Sequence, residues 1–360
     1  MNKKLRTLLL GIFIAANLLG CSPSEKERMT ITALTHNMQS HCVGRYLIDM
    51  PQGFEQDMEV ASQDGRFLPP DMDFQEAPQM TLELRATGQS EAQFKKAVGQ
   101  VILKNSVPVQ YSNDYALLEH TEETGDNQVL IRLYSDIEKS HPTRKSAIHF
   151  LLEGRYVVAS AESYEGKFLT AEKHLQEFVR NIKTYDPSKP EKGYCVGPLL
   201  VQGRYSGEQM NFGFTSQQFM DLRFGLMMDT YREGSSSTLL QRANDPKNLL
   251  NIFDVGYSTL RKGRRDVAGM QGQELAVRFS GDNPDDGSTM IEHKLMLEVD
   301  RKTPSESQPF MDIGITTGGQ DPSSITTGRG KYRTSSLSDA ELMALWDAII
   351  NSIRLRPGAV

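Results

Sequence analysis

The sequence predicts an α+β protein made of two tandem, duplicated domains, each an antiparallel sheet with packing helices. Its length of 360 residues corresponds to two domains, because one domain usually has roughly 100–200 residues. The triplet Cys-Val-Gly occurs at residues 42–44 and again at 195–197, and each copy opens a segment of domain length. Both segments also close with the same kind of helix. Together these observations predict an internal repeat.

The N-terminal segment has the pattern of a bacterial lipoprotein signal peptide. Residues 1–6 contain three cations, and residues 7–20 are uncharged and largely apolar. This run of about 14 residues is too short for a transmembrane helix, which needs about 20. It ends in Leu-Leu-Gly-Cys, which resembles the lipobox that precedes a lipidated cysteine. We therefore expect a cleaved signal peptide over residues 1–20, lipid attachment at Cys21, and a polar tether over residues 21–28.

The residue after the modified cysteine and the remaining cysteines indicate the compartment. Ser22 is typical of sorting to the outer membrane, so the folded part would face the periplasm. Two further cysteines, Cys42 and Cys195, would then lie in an oxidising compartment, where a pair of thiols tends to form a disulfide. The alternative is that each cysteine is a small buried hydrophobe in its own repeat, because equivalent sites of two domains need not meet.

Each predicted domain ends with an amphipathic helix that packs on the core. The stripe that closes the first domain has the spacing i, i+3, i+4, i+7 and consists of Leu175, Phe178, Val179 and Ile182. The same spacing closes the second domain with Trp346, Ile349, Ile350 and Ile353. A capping box formed by Ser338 and Glu341 predicts where the second helix begins.

A pair of strands precedes each of these helices. Residues 147–152 and 156–161 are rich in β-formers and flank a short Glu-Gly-Arg turn, which predicts a hairpin. In the second half, residues 290–299 alternate apolar and polar side chains, and residues 310–315 can return beside them. The sequence therefore predicts antiparallel sheets in both domains.

The domain boundaries follow from a segment rich in Pro, Lys and Gly between the two repeats. We predict a first domain over residues 29–187, a linker over residues 188–193 and a second domain over residues 194–360. The second repeat is longer than the first. Two loops rich in polar residues, Gly and Pro, at 300–308 and 317–336, can hold the additional residues.

Composition and charge exclude several classes of function. The chain is 38% hydrophobic, with a mean hydropathy of −0.45, which excludes a polytopic membrane protein. Its formal charge of −6 becomes −9 when the three cations of residues 1–6 are removed with the signal peptide. An anionic protein is a poor ligand for nucleic acids, so we expect no nucleic-acid partner. The one basic cluster, residues 261–265, is interpreted as a solvated turn or a protein contact.

No catalytic, cofactor or metal motif is recognisable. Residues 256–258 begin a Gly-x-Ser-x-Gly elbow but do not complete it. None of the seven histidines has the i, i+4 spacing of a helical zinc pair. The acidic run at 282–287 has proline at a position that calcium would need as a ligand, and no glutamate closes the loop. We therefore expect a non-enzymatic protein without metal or cofactor, and interpret residues 282–287 as a polar hairpin turn.

Three strings resemble one family of bacterial proteins. They are residues 42–51 (CVGRYLIDMP), 264–274 (RRDVAGMQGQE) and 345–357 (LWDAIINSIRLRP), and the resemblance extends over about residues 29–358. They are similar to type VI secretion lipase-immunity proteins, the Tli family of the fourth type. Membership implies a periplasmic, non-enzymatic protein that neutralises a cognate phospholipase effector delivered into the envelope. We expect it to act by binding the effector and blocking the entrance to its active site.

The resemblance does not identify the residues that contact the effector. We expect the contacts in exposed loops whose length differs between the repeats, at 282–288, 300–308 and 317–330. The candidate residues in or directly beside these loops are charged and comprise Asp282, Asp285, Asp286, Arg329 and Lys331. Two other functions remain open, namely an envelope lipoprotein that binds a small ligand or an assembly factor, and an enzyme without a recognisable motif.

Overall fold

The computed structural model describes a mixed α+β protein, as the sequence predicts. The residues it describes are 23–56, 65–69, 79–108, 116–135, 143–164, 166–232, 234–245, 257–320 and 331–360. The expectations for the signal peptide, Cys21 and Arg329 lie outside these residues. Within them, no helix combines the length and the apolar character needed to cross a bilayer.

The first half of the chain begins with a helix and a hairpin and continues into a meander of strands. Helix α1 spans Glu25–Thr35, and the hairpin consists of β1 (Met38–Val43) and β2 (Tyr46–Pro51). The remaining elements are β3 (Phe54–Gln56), β4 (Gly65–Leu68), β5 (Met80–Ala86), α2 (Glu91–Ser106), β6 (Leu118–Gly125), β7 (Gln128–Tyr134), β8 (Thr143–Leu152), β9 (Arg155–Tyr164), α3 (Phe168–Arg180) and β10 (Ile182–Thr184). The hairpin predicted around residues 153–155 is therefore confirmed as β8 and β9.

The described elements of the second half follow a similar order, although none of them corresponds to α1 and two additional short strands precede the last helix. The second half opens with the hairpin β11 (Tyr194–Val196) and β12 (Leu199–Val201). The elements that follow are β13 (Gly207–Ser216), β14 (Arg223–Asp229), α4 (Leu239–Asn244), β15 (Tyr257–Val267), β16 (Met270–Asp282), β17 (Thr289–Val299), β18 (Phe310–Thr317), β19 (Gly319–Gln320), β20 (Tyr332–Arg333), α5 (Asp339–Ser352) and β21 (Arg354–Leu355). The strand pair predicted at 290–299 and 310–315 is confirmed as β17 and β18, which are antiparallel.

One antiparallel sheet runs through both halves. Its order is β15-β16-β17-β18-β14-β13-β4-β5-β9-β8-β7-β6, with β3 also paired to β13. Read outwards from the centre, each half contributes six strands in the same relative order. The halves join where β4 pairs with β13, at Leu68 opposite Gly207. The predicted sheets of the two domains are thus fused edge to edge, and the segment between the repeats does not separate two sheets.

The last strand of each half pairs with the hairpin of the other half. β10, which follows α3, pairs with β12 of the second hairpin. β21, which follows α5, pairs with β2 of the first hairpin. This exchange ties the two halves together at both ends of the repeat.

The helices that close the repeats pack on the core with the predicted stripes, except that Ile182 lies in β10 and Ile353 follows the last residue of α5. Leu175 and Phe178 of α3 are buried, and Trp346 of α5 is fully buried. The capping box of α5 is confirmed, because Ser338 Oγ accepts from the Glu341 backbone N–H and the Glu341 carboxylate accepts from the Ser338 N–H. Helix α2 covers the opposite face of the first half-sheet with Phe94.

Two local expectations require correction. Residues 25–28 of the predicted tether form the first turn of α1, because Ser24 and Glu27 make a capping box and Leu34 is buried in the core. The basic cluster at 261–265 lies in strand β15 and not in a turn. Arg261 and Arg265 are held by a carboxylate of another element, since both contact Asp347 of α5, Arg261 at 2.6 Å.

Candidate functional site

The structure brings the acidic turn between β16 and β17 next to residues 331–338. The Tyr332 N–H donates to Asp285 Oδ2 over 2.8 Å, and the Asp285 N–H donates to Asn283 Oδ1 over 2.9 Å. Asp282, Asp285, Asp286 and Lys331 are all exposed. Four of the five predicted contact residues therefore lie together, and the fifth, Arg329, lies outside the described residues.

The conformation of this turn favours the anionic form of Asp286. Asp286 Oδ1 accepts hydrogen bonds from the Ser288 Oγ at 2.6 Å and from the Ser288 N–H at 2.9 Å. These hydrogen bonds lower the pKa of Asp286. Because three exposed carboxylates lie at the turn of the β16–β17 hairpin, the turn suits a partner with a basic complement.

The neighbouring segments are fastened to the same end of the sheet. Asp221 Oδ2 accepts from the N–H groups of Gly318 and Ser336, at 3.1 and 3.0 Å. Helix α1 reaches this end as well, because Ser338 Oγ donates to Glu27 Oε1 over 2.8 Å. We call the surface formed by residues 217–222, 283–288 and 331–338 the acidic end.

The loop at 300–308 lies at the opposite end of the sheet. Strand β17 has 11 residues and connects the two loops. At about 3.3 Å per residue, it separates them by about 36 Å. The loop covers the junction of the halves, where Tyr46 Oη donates to the Ser307 carbonyl over 2.8 Å. The three predicted contact loops therefore do not form one continuous surface.

The junction of the halves is held by a buried ion pair and a disulfide. Arg45, at the turn between β1 and β2, donates to Glu208 of β13 and to the Ala359 carbonyl. Cys42 and Cys195 are disulfide-bonded, with their Cα atoms 5.8 Å apart, inside the limit of about 7 Å for such a bond. Gly44, the glycine of the first triplet, has a φ of 58°, which favours glycine, and it exchanges backbone hydrogen bonds with Cys195. The cysteine and the glycine of the triplet therefore both have a structural role at the junction.

A hydrogen-bonded Ser-His-Asp set, which sequence reasoning missed, lies beside the acidic end. His293 Nε2 contacts Asp339 Oδ1 at 2.8 Å, and its Nδ1 contacts Ser335 Oγ at 3.1 Å. The three residues come from separate elements, so no local spacing reveals them. Ser335 Oγ also donates to the Leu337 carbonyl over 2.9 Å, and the His293 side chain is only 1% exposed. This network therefore fastens the start of α5 and offers no open position for a substrate carbonyl.

Two clefts flank helix α2 on the first half. The larger, about 720 Å³, has an acidic rim that includes Glu91, Glu122 and Asp126. The smaller, about 430 Å³, has an apolar floor and cations at its rim, including Lys104 and Lys145. Across the described ranges, no group of three or more His, Cys, Asp or Glu side chains is arranged to hold a metal ion.

The sequence of the second half and the fold of both halves are similar to those of known proteins. Residues 187–358 match the profile of a family described as "Tle cognate immunity protein 4 C-terminal domain". A solved structure described as "Apo structure of immunity protein TplEi of T6SS from Pseudomonas aeruginosa" is 21% identical, with a TM-score of 0.64, covering 89% of this chain and 98% of that chain. "The crystal structure of Tle4-Tli4 complex" contains a chain that is 21% identical, with a TM-score of 0.65, covering 90% of this chain and 99% of that chain. No curated protein sequence is significantly similar to this chain. At this level of identity the structural matches establish the fold, which extends over both halves.

Proposed function

Since residues 187–358 belong to the family of Tle cognate immunity proteins of the fourth type, we propose that this chain is an immunity protein that binds and inhibits a phospholipase effector of a type VI secretion system. The observation that carries the proposal is the family match to the second half. It is supported by the fold of both halves, which is shared with a chain solved in a complex described as Tle4-Tli4. The family also supports a non-enzymatic role.

The protein acts in the periplasm and is held there by lipid on Cys21. The lipobox at the end of the uncharged run supports the anchor, and Ser22 supports placement at the outer membrane. An inhibitor at the membrane surface meets its target where the phospholipid substrate is. Acyl chains on one cysteine provide this attachment by burying methylenes, each of which contributes about 0.8 kcal/mol.

Inhibition proceeds by stoichiometric occlusion of the entrance to the effector's active site. Lipases commonly open a mobile lid to admit acyl chains, so a protein that covers the entrance or holds the lid shut stops turnover without catalytic groups. The exposed carboxylates of the acidic end supply one set of contacts. The loop at 300–308, about 36 Å away, supplies a second set. Two linked contact sets raise each other's effective concentration, which favours tight binding.

The decisive experiment is purification with the product of an adjacent gene that encodes a secreted lipase. Phospholipid hydrolysis by that lipase is then measured at rising molar ratios of this protein. We expect activity to fall linearly and to vanish near equimolar ratio. Full lipase activity at equimolar or excess protein, or phospholipid hydrolysis by this protein alone, would contradict the proposal.

A second candidate function is an envelope lipoprotein that binds a small ligand, and one observation favours it. The cleft of about 430 Å³ beside α2 combines an apolar floor with cations such as Lys104 and Lys145, as a site for an anionic amphiphile requires. Native mass spectrometry of protein purified from the envelope distinguishes the two functions. A stoichiometric small molecule that Val101→Glu removes, together with no effect on the lipase, would favour this second function.

A further inference from the structure

We infer that the acidic end is the surface of the protein that faces the lipid headgroups, so that the predicted contact residues of the second half are held at the membrane where the effector works. This inference rests on the proposed lipid anchor at Cys21. It adds the orientation of the folded protein relative to the membrane, which follows from the packing of α1 against α5.

Helix α1 is fixed to the second half and is not a free stalk. Its inward stripe consists of Glu27, Ile31 and Leu34, of which Leu34 is buried in the main core. It packs against α5, and the hydrogen bond from Ser338 Oγ to Glu27 Oε1 brings the starts of the two helices together. The position of Ser24, the residue that caps α1, is therefore determined by the core of the second half.

Little chain separates this cap from the proposed anchor. Only Ser22 and Pro23 lie between Cys21 and Ser24 in the sequence. A fully extended chain spans at most about 3.6 Å per residue, so Ser24 cannot be more than about 11 Å from the Cα atom of Cys21. A protein on so short a connection cannot present an arbitrary face to the membrane. The face around the start of α1 must be the near one.

The acidic end lies beside the start of α1, because Ser338 belongs to it. The Ser338 hydroxyl donates to Glu27. Ser336 lies two residues before it in the chain, and its backbone N–H donates to Asp221. Met220, the neighbour of Asp221, is 52% exposed and points to solvent at this end. Exposed Asp266, which lies in β15 next to the turn to β16, is at the far end of the same sheet. The two ends differ in distance from the membrane by roughly 36 Å when the strands stand upright.

Charge determines how closely this surface approaches the bilayer. Four exposed charged residues, Asp285, Asp286, Lys331 and Arg333, lie on this surface, and because burial of charges is costly the surface lies beside the membrane without inserting into it. The carboxylates then remain accessible in the thin aqueous layer above the lipid. A partner that lies on the membrane to reach its substrate would meet them there.

Position-dependent quenching tests this orientation. The mature lipoprotein is purified from the envelope and reconstituted in vesicles that contain a lipid with a nitroxide on its headgroup. A thiol-reactive fluorophore is placed on Met220→Cys or on Asp266→Cys, while Cys42 and Cys195 are protected as a buried disulfide. We expect the label at position 220 to be quenched several-fold more strongly than the label at position 266.

A lengthened connection provides the matched control. Insertion of 20 Gly and Ser residues between Ser22 and Pro23 leaves the fold untouched and gives a flexible connection of about 25 Å root-mean-square length. The difference between the two labels should then disappear. Equal quenching of both labels on the unmodified protein, with the protein still floating with the vesicles, would overturn the orientation and leave the inhibitor proposal intact. Failure to float would overturn the anchor and the orientation together, and the lipase assay reports on inhibition separately.

Discussion

Arg45 and Glu208 form a bidentate ion pair across the junction of the two halves, with Nε–Oε2 and Nη2–Oε1 distances of 2.8 and 2.6 Å. Their side chains are only 4% and 1% exposed, so both charges are removed from water. Burial raises the pKa of the Glu208 carboxyl, and the hydrogen bonds from Arg45 offset part of this increase. The pair joins the turn of the first hairpin to the strand at the centre of the fused sheet.

Breaking this pair should destabilise the whole protein. Arg45→Met leaves the Glu208 carboxylate buried without a partner, and we expect a loss of about 3–5 kcal/mol in the free energy of unfolding. The double variant Arg45→Met/Glu208→Leu should recover much of that loss, because it also removes the uncompensated charge. Urea unfolding followed by circular dichroism measures both. A loss below about 1 kcal/mol in the single variant would contradict a structural role for the pair.

Removal of the disulfide should lower stability without changing the fold. The bond joins residues separated by 153 positions, so it restricts the unfolded chain strongly, and its loss is expected to cost about 2–5 kcal/mol. Cys42→Ala/Cys195→Ala is the suitable variant, because alanine places no new polar group in this buried site. Reducing the disulfide of the wild-type protein should lower its melting temperature as much as the double substitution does. An unchanged melting temperature under reducing conditions would contradict the prediction.

His149 should make the protein less stable in acid. Burial lowers the pKa of His149 to about 4, and its Nδ1 is 2.7 Å from Tyr156 Oη. Between pH 6.5 and 4 the unfolded chain therefore binds a proton that the folded protein does not, so stability falls as the pH falls through this window. The maximal loss is about 3 kcal/mol. His149→Gln cannot titrate, and its free energy of unfolding should change less than that of the wild type between pH 7.5 and 4.5. Parallel curves for the two proteins would refute the assignment.

Neutralising the acidic turn should weaken effector binding. Asp285→Asn/Asp286→Asn removes two exposed charges, while an asparagine at position 285 can still accept the Tyr332 N–H. We expect slower association with the lipase and a weaker dependence on salt, because exposed charges act mainly on the association rate. Asp266→Asn, which removes an equally exposed charge at the far end of the sheet, is the matched control. Identical association rates for both variants would exclude the turn from the interface.

The elements of each half were accessible from the sequence because they depend on local signals. The capping box at Ser338 and the stripe ending at Ile353 predicted α5, and the alternation over 290–299 predicted β17. The α+β class followed from these. The fusion of the two sheets could not be predicted from the sequence. It depends on backbone pairing between β4 and β13, which are far apart in the chain, and neither segment has a sequence pattern that specifies its partner.

The candidate site was predictable only as a set of exposed loops. Asp285 was identified from its polar, glycine-containing turn, which is a local property. Its hydrogen bond with Tyr332 and the distance to the loop at 300–308 depend on the direction of β17 in the sheet, which no residue of either loop reports. The Ser335–His293–Asp339 network was missed for the same reason, since it joins a loop, a strand and a helix.

The exchange of the last strands makes each hairpin depend on a segment far along the chain. β2 pairs with β21, and Arg45 bonds the Ala359 carbonyl, so the first hairpin receives partners from residues up to 314 positions away. Without β21, the edge of β2 around Tyr46 and Leu47 lacks a partner, and such edges recruit other strands. The first half therefore completes its fold only once the second half is in place.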